Sequence, residues 1–207
     1  MYSVCLEVLM QPKLKKLVDK GLLWQGRPSS GKQQEYLHSG SDVLDKQLGG
    51  GWQLDGLHEC QRQNEFTEYR LIKPLLQQAL VRQVPVFWIN PPALVSAAGL
   101  SWQLAEPSLQ IIVQAQQQNA AWAFEQVLKS GTGIALFWGS QEDIDANKVR
   151  RWYKAAQSGH QPGFVFTGIQ SQPEARSYTN RIALQHGGVE VDIVKRRYGW
   201  PVQKIAL

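Results

Sequence analysis

Cysteine and methionine are scarce, two of each in 207 residues. Cys5 and Cys60 have neither the paired spacing of a zinc site nor a disulfide framework, so each reads as a small buried or half-buried thiol. The four histidines, His38, His58, His160 and His186, are scattered without an H-x-x-x-H pair, which leaves zinc chemistry unsupported. No serine sits in a nucleophile elbow, and neither cysteine has a local partner to activate it. No apolar run approaches the ~20 residues of a membrane span. Met1 to Met10 carries Glu7 and no basic leader, so a signal peptide is not expected and a cytoplasmic location is.

What is present describes a globular chain. Hydrophobic residues make up 43% and aromatics 10%, well away from disorder. The length suits one domain that buries roughly 70% of the surface its unfolded form exposes. A net charge of +5 and a pI near 9.2 permit contact with nucleic acid or an acidic protein without demanding either. Eight tryptophans exceed what packing needs, and some are expected at a protein interface, where Trp and Arg are the enriched anchors. Trp24, Trp52 and Trp200 are candidates.

The stretch from Leu48 to Leu80 organises the rest. Gly49-Gly50-Gly51 is a turn that no regular element crosses. Asp55 to Gln61 alternates as a short strand, and from about Thr67 apolar residues recur at helical spacing. Strand, loop and helix is the layout of a phosphate-binding loop, in which glycine N–H groups surround an anion at a helix N-terminus. Here the loop, from Arg62 through Gln63, Asn64, Glu65, Phe66, Thr67, Glu68 and Tyr69 to Arg70, has no glycine and no lysine. It places two carboxylates where the anion would sit, so no nucleotide, metal or other cofactor is expected. Glu65 and Glu68 read as helix N-terminal acids that favour the dipole.

In chain order, Pro12 to Trp24 reads as an amphipathic helix with Lys13, Lys15, Lys16 and Lys20 on a solvated face. Gly26 to Lys32 matches G-x-x-x-x-G-K, but Gln33 replaces the Ser/Thr and neither strand nor helix flanks it, so it reads as a linker. The organisation is residues 1–38 as helix and linker, then one domain over 39–207. Ser39 or Ser41 caps a helix from Asp42 to Leu48. Val84–Asn90, Ser108–Val113 and Gly133–Trp138 are apolar runs of the interior parallel-strand type, with a fourth short strand at Gly163–Gly168. Helices are expected over Asn119–Lys129 and Asp143–Gln157, and Gln170–Ser177 is a polar loop. Arg181–Gln185 and Val189–Val194 form a hairpin through His186-Gly187-Gly188. The sum is an α/β, three-layer fold with a mainly parallel sheet and an antiparallel edge hairpin. The last charged stretch, Lys195-Arg196-Arg197-Tyr198-Gly199-Trp200-Pro201, admits three readings: phosphate contact with base stacking on single-stranded DNA, anchors for a protein partner, or an edge strand guarded by charge.

Ser39-Gly40-Ser41-Asp42-Val43-Leu44-Asp45, Leu48-Gly49-Gly50-Gly51-Trp52 and Leu57-His58-Glu59 resemble the start of a RecA-type core. With Leu22-Leu23-Trp24-Gln25-Gly26 and the basic C-terminal step, the chain most resembles ImuA, the RecA-like accessory protein of bacterial mutagenic operons. Leu71-Ile72-Lys73-Pro74-Leu75-Leu76-Gln77-Gln78 also resembles SulA, the SOS division inhibitor. The resemblance implies a RecA-like, P-loop NTPase-type fold with a degenerate phosphate loop, Glu68 standing at the lysine's place and Tyr69 at that of the Ser/Thr. The third buried strand would end in an Mg²⁺-holding acid in an active relative; here it ends Trp138-Gly139-Ser140. The implied function is non-enzymatic: translesion synthesis in the SOS DNA-damage response, by binding a polymerase-like ImuB-type protein and RecA. The alternatives are a SulA-type inhibitor that binds FtsZ, and a nucleotide-dependent ATPase.

Overall fold

The computed structural model describes residues 34–207 except 65, 97, 100–105, 141–143, 170–174 and 198. The helix expected at Pro12–Trp24, the linker Gly26–Gln33, Cys5, Glu65 and Tyr198 lie outside the described residues.

The body is an eight-stranded mixed sheet between two helical layers. In chain order the elements are β1 (Tyr36–Leu37), α1 (Asp42–Leu48), β2 (Trp52–Gln53), β3 (Leu57–Arg62), α2 (Tyr69–Arg82), β4 (Val86–Ile89) and β5 (Gln110–Val113). Then follow α3 (Gln117–Ser130), β6 (Ile134–Trp138), α4 (Ala146–Gly159), β7 (Gly163–Gly168), β8 (Asn180–Gln185), β9 (Glu190–Lys195) and β10 (Val202–Ala206). The sheet runs β10-β9-β8-β3-β7-β6-β4-β5. β8, β3, β7, β6, β4 and β5 are parallel, and β9 and β10 close one side antiparallel.

Period-two alternation sorts each interior strand between two cores. Ile134, Leu136 and Trp138 of β6 and Phe164 and Phe166 of β7 pack on one face with Leu44, Leu71, Leu75 and Leu76 of α1 and α2. Ala135, Phe137 and Val165 face the other way, onto Phe124 of α3 and Val149 and Trp152 of α4. β1 pairs with β2, so Tyr36 and Leu37, assigned from the sequence to the linker, belong to the folded body.

Ser41, not Ser39, caps α1 by accepting from the Leu44 N–H. Gly49, Gly50 and Gly51 all have positive φ, and a Cβ on Gly51 would meet the Leu37 carbonyl at 2.3 Å. Two expectations are corrected. β5 is an edge strand with Ile111 and Ile112 exposed, not an interior one. A further strand, β10, follows Pro201, with Lys204 at φ 58 and a register shift in the middle of its pairing.

Candidate functional site at the carboxyl ends of the parallel strands

The turn from β3 into α2 packs tightly on itself. Tyr69 N–H donates to the Phe66 carbonyl at 3.2 Å, and Leu71 and Ile72 N–H both donate to the Glu68 carbonyl. The tip of the β8–β9 hairpin lies on this turn: a Cβ on Gly188 would stand 2.5 Å from the Thr67 carbonyl oxygen. Gln63 Nε2 also reaches Gln185 Oε1 at 3.2 Å.

Glu68 occupies the N-cap position of α2 with a helical backbone and makes no side-chain cap. Its carboxylate turns inward, where Oε1 accepts from Trp138 Nε1 at 2.8 Å and from the Arg62 guanidinium at 3.2 Å. Glu68 does stand at the N-terminus of the helix, as read from the sequence, but its carboxylate serves Trp138 and Arg62 in the interior; the residue is 2% exposed. A triphosphate needs free N–H groups and positive charge at such a turn. Here the Tyr69 and Leu71 N–H groups bond within the turn, and a buried carboxylate, not a cation, stands at the start of the helix. These residues do not fit a nucleoside triphosphate.

Beside Glu68 a cavity of about 250 Å³ opens between the turn, the first residues of α2, the segment after β4 and the end of β6. Its walls include Phe66, Tyr69, Ile72, Trp88, Leu94 and Trp138. The Trp138 ring stacks on Trp88 (5.7 Å, 4° between planes) and on Phe166 (4.7 Å, 24°), making a rigid aromatic wall. Phe66 is held at φ 67, a left-handed backbone that a bulky L-residue avoids, with its ring more than half exposed. Leu94 is 91% exposed. Glu68 Oε2 is buried and receives no hydrogen bond from the described residues. The crevice outside the carboxyl ends of parallel strands is where open α/β sheets bind their ligands.

A second buried carboxylate lies three residues earlier in the core strand than its end. Glu59 Oε2 accepts from Gln61 and from the Arg181 guanidinium, and Oε1 accepts from Thr167. Arg181 also lies over the Tyr178 ring, whose hydroxyl is raised above the ordinary tyrosine range chiefly by burial and then by the Glu59 charge. Next to it, His58 donates Nε2 to the Gln53 carbonyl and meets Asn180 through Nδ1, and burial lowers its pKa to about 4. Burial, then the charges of Glu59 and Glu68, pushes the Cys60 thiol well up, which makes it an inert core thiol as expected.

The other candidates are placed differently from one another. Trp52 is completely buried against His58 and Phe164, so it is a core residue and not an interface anchor. Arg196 is bound within the molecule, to the Gln47 carbonyl at the end of α1 and to the Trp200 carbonyl. Arg197 reaches Gln53 Oε1 at 3.2 Å, and Lys195 Nζ donates to the Arg176 carbonyl. Burial, and then the neighbouring Arg181 charge, lowers the Lys195 pKa. Of this stretch Trp200 is 85% exposed. Trp24 lies outside the described residues. Leu75 and Leu76 of the division-inhibitor segment are core residues, while Arg70, Lys73 and Gln77 line a more polar cavity of about 490 Å³. His38, Asp42 and Asp45 cluster at its edge, a juxtaposition the sequence spacing did not show.

Trp88, Leu94 and Trp138 were not singled out from the sequence as site residues. The usable signal was Trp138 closing a buried strand at the position where an acid is expected, with Pro91-Pro92 after the preceding strand. Among the described residues no helix is long and apolar enough to cross a membrane. Compared with protein-family models and with curated proteins, the chain matches none of them.

Proposed function

We propose that this chain is a non-enzymatic, RecA-like accessory protein of the bacterial SOS response that acts in translesion DNA synthesis by holding other proteins. The observation that carries the reading is Glu68: a carboxylate buried at the start of α2, where a phosphate-binding lysine would stand, and locked by Trp138 and Arg62. A mainly parallel sheet with its first core strand in the interior supports the RecA-like fold. Exposed Phe66 and Leu94, which line one cavity together, support a protein-binding role, since large apolar side chains clustered on a surface mark interaction sites. The cytoplasm is the proposed location.

The test is capture of the polymerase-like ImuB-type protein, and separately of RecA, by the purified full chain. Retention of either that weakens on Leu94→Asp or Trp200→Ala supports the reading. Failure to retain both overturns it. The division-inhibitor alternative makes a separate prediction: overproduction makes cells filament, and stoichiometric protein arrests FtsZ GTPase activity. Normal division under overproduction excludes it.

A further inference from the structure

We infer that the outer edge of β5 docks a second copy of this chain. The two β5 strands pair antiparallel about a twofold axis at Ile112 and join the two sheets into one. The inference stands apart from the proposed function.

The two edges of the sheet are finished differently. β10 carries a register shift, and its exposed Lys204 has a left-handed backbone whose N–H donates to Asp192 at 2.8 Å. A bulge and a charge are devices that keep an edge from pairing. β5 has neither. Its register with β4 is regular, and no charged residue occurs between Glu106 and Glu125. Among the described residues no strand pairs with its outer side.

The backbone of β5 shows which groups that side offers. The Val113 carbonyl accepts from the Asn90 N–H at 2.9 Å, and the Asn90 side chain continues the ladder onto the N–H and carbonyl of Ala115. Ile111, Val113 and Ala115 therefore face β4, and by alternation Ile112 and Gln114 turn both backbone groups outward. Gln110 offers only its carbonyl, because its N–H donates to the Pro107 carbonyl.

These groups complement themselves. In an antiparallel pair centred on Ile112, Ile112 and its counterpart exchange both backbone bonds. Each Gln114 N–H then donates to the Gln110 carbonyl of the other copy, and the Gln110 N–H already used within the chain is not needed. Side chains match as well: Ile112 meets its own counterpart, Ile111 meets Val113, and Gln110 meets Gln114. Ile111 and Ile112 are 40% and 44% exposed, so apolar surface remains there to be covered. An acidic or basic partner finds no charge to match along this edge. Two copies of a chain of net charge +5 repel each other least where they meet along a neutral strand.

Sedimentation equilibrium of the full chain at about 100 μM, where a micromolar contact is nearly saturated, should give twice the chain mass of 23.3 kDa. Ile112→Asp and Ile112→Lys each set like charges face to face across the axis and should weaken the dimer at least about tenfold. Mixed one to one, the two variants should associate again, because a carboxylate then faces an ammonium. Circular dichroism matching that of the unaltered chain confirms that both variants are folded. In the unaltered chain, exchange of the Ile112 and Gln114 amide hydrogens should slow as concentration rises, a reading that needs no variant. A monomer at about 100 μM, amides indifferent to concentration, folded variants that dimerise undiminished, or a mixture of folded variants that stays monomeric overturns the inference.

Discussion

Two glutamates are buried near the carboxyl end of the same core strand, and they are finished differently. Glu59, in the middle of β3, has both oxygens bonded, by Arg181, Gln61 and Thr167. Glu68, just past the strand, has one oxygen bonded twice and the other not at all among the described residues. The first uses both its oxygens and joins β3 to β7 and β8. The second leaves one oxygen unbonded, shut away from solvent beside a cavity. A buried carboxylate with both oxygens bonded across strands serves architecture, and one bonded on a single side is the looser of the two.

The comparison is broken most directly at Glu59. Glu59→Leu leaves the Arg181 guanidinium buried without its carboxylate and should cost about 3–5 kcal/mol in denaturant unfolding. Adding Arg181→Met should recover much of that loss, since an apolar pair replaces the ions. A single-variant loss under about 1 kcal/mol would show that Glu59 is not the hub described.

Acid unfolding needs His58 separated from both carboxylates. Its folded pKa of about 4 lies below the ordinary 6.5, because the fold favours the neutral ring. The unfolded chain therefore takes up a proton between pH 6.5 and 4 that the folded chain refuses. Stability from this group is full above 6.5, falls as pH drops through that window, and is lost below it, by up to about 3 kcal/mol. His58→Gln should flatten that part of the stability profile; an unchanged slope would assign it to other groups.

Glu68 should be the milder loss. Arg62 is partly exposed and can turn to water, so Glu68→Gln is expected to cost only about 1–2 kcal/mol. A cost equal to that of Glu59→Leu would erase the distinction between the two sites. Smallest of all is Trp200→Ala, which at 85% exposure should move stability by less than about 0.5 kcal/mol while weakening partner capture. A large loss of stability would show that the ring is needed for folding.

Much of the sheet was legible because parallel strands buried on both faces write continuous apolar runs bounded by Pro and Gly: β4, β6 and β7 all do. β5 writes the same kind of run, Gln110-Ile111-Ile112-Val113, yet stands at the edge, because strand order is set by pairing that local sequence does not encode. β10 went unread since Gln203 and Lys204 interrupt its apolar pattern and its register shifts midway. That the turn between β3 and α2 lacks the glycine and lysine of a phosphate-binding loop was legible. The inward turn of Glu68 was not, since its partner Trp138 is 70 residues away in sequence. Trp52 could not be told from Trp200 either: both follow glycine, but Trp52 feeds the sheet core, and only packing shows it.

The central claim is that the start of α2 holds no nucleotide, and thermal unfolding of the full chain with and without millimolar ATP and Mg²⁺ tests it. The account predicts an unchanged melting temperature. A bound nucleotide at a hundredfold excess over its Kd would add about 2.7 kcal/mol and raise the melting temperature by several degrees. A rise of that kind, lost in Glu68→Gln, would contradict the account.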